Sequence, residues 1–153
     1  MRPELKSTNR PEKVPPSIWR VSGRRVTIDG FIEEGSNRMD ATGFRDVLRS
    51  LNVRLWEKLE SIDAEEHPDL REAVELIIRV LESPEAWQAK VPLPRWLAEV
   101  AFGARYFLKR FDFIDDHLPK IGFVDDAQLL ARILERNTAE LNRHRASQSL
   151  RPR

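Results

Sequence analysis

The chain contains no cysteine, and this absence excludes several kinds of chemistry at once. Without a thiol there is no disulfide framework, no thiolate nucleophile and no cysteine-ligated zinc site. The absence fits a reducing compartment, and we expect a cytoplasmic protein. Also missing is an apolar run near the length that spans a bilayer, about 20 residues. Residues 1–16 are polar and proline-rich, without the apolar segment of a signal peptide.

Catalytic signatures are scarce as well. His67 and His144 do not form a helical zinc pair, and Ser22-Gly23-Arg24-Arg25 lacks the ending of a phosphate-binding loop. There is no Gly-x-Ser-x-Gly elbow for a nucleophilic serine. We therefore expect a protein that is not an enzyme and carries no cofactor.

Charge is distributed unevenly along the 153 residues. The net charge of +1 combines +2 in residues 1–16 and +4 in residues 143–153 with −5 in residues 17–142. Both basic tails are predicted to be disordered, because their composition buries too little apolar surface. They could make weak contact with anionic surfaces. Because the body is acidic, no specific binding of nucleic acid is expected.

The pattern of residues 17–142 predicts a single, mainly α domain: a compact bundle of four to five helices with a small N-terminal β-hairpin at 17–34. In the hairpin, strands Ile18–Val21 and Val26–Ile32 flank the turn signal Ser22-Gly23. Apolar residues at helical spacing predict helices from Asp40 or Thr42 to Ile62, from Pro68 past Leu81, from Arg95 to Lys109 and from Val124 to Arg143. Ser83-Pro84 predicts a short helix that begins at the proline.

Five aspartates lie among large apolar residues between Phe111 and Asp126, in a stretch broken by one proline and one glycine. Acids packed among apolar groups need a partner, because an unpaired buried charge is costly. We interpret the stretch as a structural corner between the last two helices, in which Gly122 adopts a positive φ and Asp125 or Asp126 caps the final helix. The corner residues are Asp112, Asp116, Pro119, Gly122, Asp125 and Asp126.

With these positions in view, residues about 104–134 resemble the YkvA-like domain, a family without an established biochemical function. Asp112, Asp116, Pro119, Gly122 and the Asp125-Asp126 pair occupy the positions that its helix–corner–helix pattern requires. The resemblance implies that residues 95–142 form two antiparallel helices joined by the corner. Arg110, Asp115, His117 and Lys120 depart from the usual family residues.

An alternative role for the corner is a cation site. Carboxylates of Asp112, Asp116, Asp125 and Asp126 would suit Mg²⁺, Mn²⁺ or Ca²⁺, with His117 beside them. The spacing does not match an EF-hand loop. A metal-dependent regulator or enzyme is therefore the second hypothesis, and a site without metal is the first.

Aromatic residues outside the corner suggest contact surfaces. Tryptophan is enriched at the energetic centres of protein interfaces, although helix-spaced aromatics mostly belong to the core. The candidates are Trp19, Phe31, Trp56 and Trp87. We therefore predict a non-catalytic interaction or scaffold protein that binds a protein partner or self-associates.

Overall fold

A computed structural model describes residues 19–50, 54–113 and 119–149, with side chains at these positions except 109–113, 119–125 and 148–149. This part of the chain is mainly helical, with a two-stranded antiparallel hairpin at its start. The strands are β1 (Arg20–Val21) and β2 (Arg24–Arg25). The helices are α1 (Ile28–Asn37), α2 (Ala41–Ser50), α3 (Trp56–Ser61), α4 (Pro68–Glu82), α5 (Pro84–Trp87), α6 (Arg95–Phe113), α7 (Pro119–Arg136) and α8 (Thr138–Ser149).

The hairpin is shorter than the sequence predicted. Its two-residue turn has positive φ at both Ser22 (52°) and Gly23 (77°), which matches the twist of paired strands. The predicted second strand from Val26 to Ile32 is wrong, because helix α1 begins at Ile28. The Thr27 hydroxyl accepts the N–H of Gly30 at 3.0 Å, and this cap starts a helix where alternation suggested a strand.

The predicted helices that begin at Pro68, Pro84 and Arg95 are confirmed. The predicted single helix from Asp40 or Thr42 to Ile62 corresponds to α2 and α3, and residues 51–53 between them lie outside the described part. The described chain has eight helices and not the predicted four to five. Asp40 Oδ1 accepts the N–H of Gly43 at 2.7 Å and caps α2. Ser83 Oγ accepts the N–H of Ala86 at 3.3 Å and caps α5. The apolar stripes of α2, α3 and α4 face the core, as their spacing required. Leu51, part of the same stripe, lies outside the described residues.

Helix α6 is the central element and packs against α1, α2, α4 and α7. Gly103 lets α6 and α7 approach closely, because a Cβ there would lie 2.8 Å from Ile133 Cδ1 and 3.0 Å from Leu130 Cδ2. The core around α6 is built from large, fully buried side chains of four helices: Ile32, Ile77, Ile78, Leu81, Leu97, Phe107, Leu129, Leu130 and Ile133.

The C-terminal region differs most from expectation. Helix α7 begins at Pro119 and not near Val124, so Gly122, Asp125 and Asp126 lie inside it. The proposed positive φ of Gly122 and the proposed caps by Asp125 or Asp126 are therefore wrong. The final helix is also divided at Asn137, and α8 continues to Ser149. Residues 143–149 are helical, which corrects the predicted disordered tail there, while residues 1–16 and 150–153 lie outside the described part.

None of the helices that the structure describes is long and apolar enough to cross a membrane.

Candidate functional site

The structure describes only part of the aspartate-rich corner. Asp116 lies in the segment 114–118, outside the described residues, and the side chains of Asp112 and Asp125 are also outside them. Asp126 is described, and its side chain is fully buried on α7. Across the described side chains, no group of three or more His, Asp or Glu is arranged to hold a metal ion. The cation site therefore stays a prediction. Of the structural corner, only the part around Asp112 and Asp116 stays a prediction, because Gly122, Asp125 and Asp126 lie inside α7.

Trp19 and Phe31, two of the candidate contact residues, belong to an aromatic cluster. Trp19 is only 7% exposed. Its ring centroid lies 4.9 Å from that of Phe31 and 6.0 Å from that of Tyr106. Phe31 is half-buried and meets Tyr106 edge-on at 5.6 Å. Trp19 attaches the hairpin to the helices and is too buried to be an exposed contact.

Trp56 is half-buried at the start of α3. Its indole N–H donates to Glu82 Oε2 at 2.8 Å and links α3 to the end of α4. Because its indole N–H is hydrogen-bonded within the chain and its ring packs on the core, Trp56 mainly stabilises the contact between α3 and α4.

Trp87 is different, because its side chain faces solvent. It is 53% exposed at the end of α5, and Val91 in the following link is 59% exposed. These two are the exposed large hydrophobic residues of the described chain. They border a groove of about 550 Å³ against α2. We call it the Trp87 groove; its lining residues are Ala41, Phe44, Arg45, Leu48, Arg49, Trp87, Ala89, Lys90 and Val91.

The charged side chains that line the Trp87 groove are all positive. Arg49 forms a long, exposed pair with Asp46, whose oxygen lies 3.8 Å from Nη1. The side chains of Arg45 and Lys90 are exposed and form no hydrogen bond or ion pair with the rest of the described chain. The groove thus combines an apolar edge with two uncompensated cations.

A polar cluster with a buried centre at Glu99 and Asn137, which the sequence reasoning missed, joins three helices. Glu99 of α6 is 1% exposed and lies between Arg136 and Asn137 at the end of α7. Asn137 Nδ2 donates to Glu99 Oε1 at 2.9 Å. Asp29 of α1 accepts from Arg132 at 2.7 and 2.9 Å and lies 3.3 Å from Arg136. We call these five residues the Glu99 network.

The network holds its carboxylates ionised. Burial raises the pKa of Glu99. Hydrogen bonds from Arg136 and Asn137 and the charge of Arg136 together lower the pKa by more than burial raises it, so the pKa is below its ordinary value. Hydrogen bonds from Arg132 are the main reason that the pKa of Asp29 is also lowered. A carboxylate with a lowered pKa and occupied lone pairs is a poor proton-transfer group near neutral pH. Because Asp29 of α1 and Glu99 of α6 both contact arginines of α7, the network holds these three helices together.

His144 is the other buried polar residue that was missed. Its ring lies on α8, with Nδ1 3.0 Å from Glu85 Oε1 and the ring centroid 6.0 Å from that of Trp96. The carboxylate oxygen can only accept, so Nδ1–H donates.

A sequence signal existed for Glu99, because it follows Trp96 by three residues and precedes Gly103 by four, on the edge of a buried stripe. Nothing local distinguished His144 from a residue of a solvated tail.

Comparisons with family models, with curated proteins and with solved structures each find no match for this chain.

Proposed function

We propose that the protein is a non-catalytic interaction module that docks an acidic segment of a partner protein in the Trp87 groove. The observation that supports this proposal is the exposure of Trp87 and Val91 beside two cations, Arg45 and Lys90, that have no partner among the residues that the structure describes. Trp19 and Trp56, by contrast, pack inside the chain.

The groove has the composition of an interface centre. Tryptophan and arginine are over-represented among residues whose truncation costs most binding energy. Val91 and the floor residues Phe44 and Leu48 continue the apolar surface next to Trp87. An aliphatic or aromatic side chain of the partner would cover this surface and remove it from water.

The positive rim selects the charge of the partner. Arg45, Arg49 and Lys90 border the same groove, and Asp46, which does not line it, contacts Arg49 at 3.8 Å. Opposite charge raises the association rate and disfavours basic partners. The preferred occupant is therefore an acidic segment with one or two apolar anchors, and a second copy of the chain is the competing occupant.

Two wider predictions accompany this one. The similarity of residues 104–134 to the YkvA-like domain is proposed from the spacing of the corner residues, and the cytoplasmic location is proposed from the absence of cysteine. A divalent-cation-dependent role for Asp112, Asp116, Asp125 and Asp126 is the alternative function. If that alternative holds, Mg²⁺, Mn²⁺ or Ca²⁺ will raise the melting temperature, and Asp116→Asn combined with Asp126→Asn will abolish the increase.

Selection from a random peptide library displayed on phage tests the interaction proposal, with the full chain as bait. We expect acidic peptides with apolar anchors to be enriched and their affinity to fall as salt rises. Trp87→Ala should weaken binding of a selected peptide at least about tenfold, as for a central interface residue. Arg45→Glu should weaken it as well, whereas the exposed neighbour substitution Gln88→Ala should leave it unchanged.

Two results would overturn the proposal. One is enrichment of peptides that bind the Trp87→Ala variant as tightly as the original chain. The other is concentration-dependent dimerisation in sedimentation experiments that Trp87→Ala abolishes, because the groove would then belong to a second copy of the chain.

A further inference from the structure

A second cleft, separate from the Trp87 groove, lies where the hairpin meets α1, α2 and α6. Its volume is about 650 Å³, within the range of roughly 300–1,000 Å³ that is typical of small-molecule sites. We call it the hairpin cleft. It is independent of the interaction function proposed above.

One side of the hairpin cleft is aromatic. Phe31 from α1 and Phe102 and Tyr106 from α6 line it, and their ring centroids are separated by 5.5 to 6.4 Å. All three rings are only half-buried. Trp19 packs behind Phe31 and fixes its position. The cleft thus offers ring surface to a planar group, which aromatic side chains bind by offset or edge contacts.

Most of the charged groups around the cleft already have a partner. Glu34 pairs with Arg38 at 3.8 Å, and Arg20 Nη1 donates to Gly23 O at 3.1 Å. Asp40 Oδ1 is engaged by the N–H of Gly43 at 2.7 Å. Asp46 pairs with Arg49, which lies outside the cleft.

Arg105 is the exception. Its exposed guanidinium makes no hydrogen bond or ion pair with any residue that the structure describes. It lies over Gly43, where an added Cβ would come within 3.0 Å of Arg105 Nη1. The small residue therefore leaves room for the guanidinium at the cleft wall. A planar fork of unused N–H donors suits a carboxylate or phosphate, which it binds through two parallel hydrogen bonds.

We propose that the hairpin cleft binds a small ring-bearing anion, with the ring against Phe31, Phe102 and Tyr106 and the anionic group on Arg105. The shared chemistry is a planar ring joined to a carboxylate or a phosphate. The aromatic side supplies apolar contact, and Arg105 gains the anionic partner that the described chain does not provide.

Amide chemical shifts of the isotopically labelled full chain test the proposal. The probes are adenosine monophosphate and naphthoate, with adenosine and inorganic phosphate as the separated halves. We expect at least one ring-bearing anion to shift amides around Gly35, Gly43 and Arg105, and to bind more tightly than adenosine or phosphate alone. A response to adenosine monophosphate only assigns a phosphate ligand, and a response to naphthoate only assigns a carboxylate.

Arg105→Gln should lower the affinity for the probe at least about tenfold, the loss expected for a charge-assisted contact. Arg105 has no internal partner in the described chain, so the variant should keep its melting temperature. Arg79→Gln, an exposed arginine on α4 outside the cleft, should bind the probe normally. The proposal fails if no ring-bearing anion shifts these amides, if phosphate alone binds as tightly, or if Arg105→Gln binds undiminished.

Discussion

Glu99 of α6 and Arg136 of α7 form an ion pair with two hydrogen bonds between the two helices. Arg136 Nε donates to Oε1 at 3.0 Å, and Nη2 donates to Oε2 at 2.8 Å. Glu99 is 1% exposed and the Arg136 side chain 16% exposed. Because Arg136 also lies 3.3 Å from Asp29 Oδ1, the pair connects α1, α6 and α7. Arg95 adds a further contact to Glu99 Oε2 at 3.4 Å.

Removing this carboxylate should destabilise the fold strongly. Glu99→Ala removes the acceptor that the Arg136 guanidinium and the buried Asn137 amide share. Arg136 keeps its contacts with Asp29 at 3.3 Å and Glu33 at 3.5 Å, and Asn137 Nδ2 keeps its bond to Ile133 O at 2.8 Å. We therefore expect the free energy of unfolding to fall by about 3 kcal/mol, the lower end of the range for breaking a buried pair. Urea unfolding followed by circular dichroism measures the change. Glu75→Ala is the matched control, because its pair with Arg79 is exposed, and its effect should stay within about 1 kcal/mol. Equal losses in the two variants would contradict a special role for Glu99.

Stability should depend on acidic pH with a defined sign. The pKa values of Asp29 and Glu99 are lowered in the folded chain, so the unfolded chain binds protons more readily. The stabilisation is therefore complete above the ordinary carboxyl pKa of about 4. It is lost as pH falls through the lower folded values. Urea midpoints measured from neutral to strongly acidic pH should decrease in that window, and Glu99→Gln should flatten the decrease. An unchanged pH profile in Glu99→Gln would contradict this assignment.

Regular elements with one strong local signal could be predicted from the sequence. In α4, the apolar residues Leu70, Val74, Ile77 and Leu81 recur at helical spacing after Pro68, and all of them are buried. The prediction of the second hairpin strand failed because two local signals competed there. Val26, Ile28 and Ile32 alternate as in a strand, but the Thr27 cap favours a helix that buries Ile32 completely.

The Glu99 network and the His144 contact depend on long-range packing. Arg132 and Asp29 are 103 residues apart, and His144 and Glu85 are 59 residues apart. No periodicity in one segment encodes which of many charged residues will meet. Exposure is equally non-local: Trp19 and Trp87 look alike in sequence, yet one packs against α1 and α6 and the other faces solvent. Trp87 could be named as a candidate contact from its residue type, but the groove beside it and the hairpin cleft could not be predicted from the sequence.

Close packing of α6 on α7 should make Gly103 intolerant of a larger residue. On an exposed helix, Gly→Ala would stabilise by up to about 1 kcal/mol. At Gly103 the new Cβ would meet Ile133 Cδ1 at 2.8 Å, and Ile133 is fully buried. We expect Gly103→Ala to lower the free energy of unfolding by about 1–3 kcal/mol, as for other overpacked cores. Urea unfolding gives the value, and a stabilised variant would show that α6 and α7 can separate without loss.

A double variant separates this steric clash from a change in helix propensity. Ile133→Val removes the Cδ1 atom that the new methyl group would meet. Gly103→Ala combined with Ile133→Val should therefore lose less stability than the two single variants together, with a coupling of about 0.5 kcal/mol or more. Additive losses would instead place the cause outside the contact between these two side chains.

The docking of α8 should depend on His144. Its ring packs near Trp96 and hydrogen-bonds Glu85, although it stands in a basic segment of low apolar content. His144→Ala removes the buried ring and leaves the Glu85 carboxylate without this donor, so the free energy of unfolding should fall by about 1–3 kcal/mol. Trypsin should also cut faster after Arg143 and Arg145 as α8 detaches, because local unfolding exposes the backbone to proteases. Ser147→Ala, at an exposed position on the same helix, is the control, because it keeps both arginines and should leave the urea midpoint unchanged. If His144→Ala and Ser147→Ala behave alike in both the unfolding and the cleavage measurements, α8 is not held by the buried histidine.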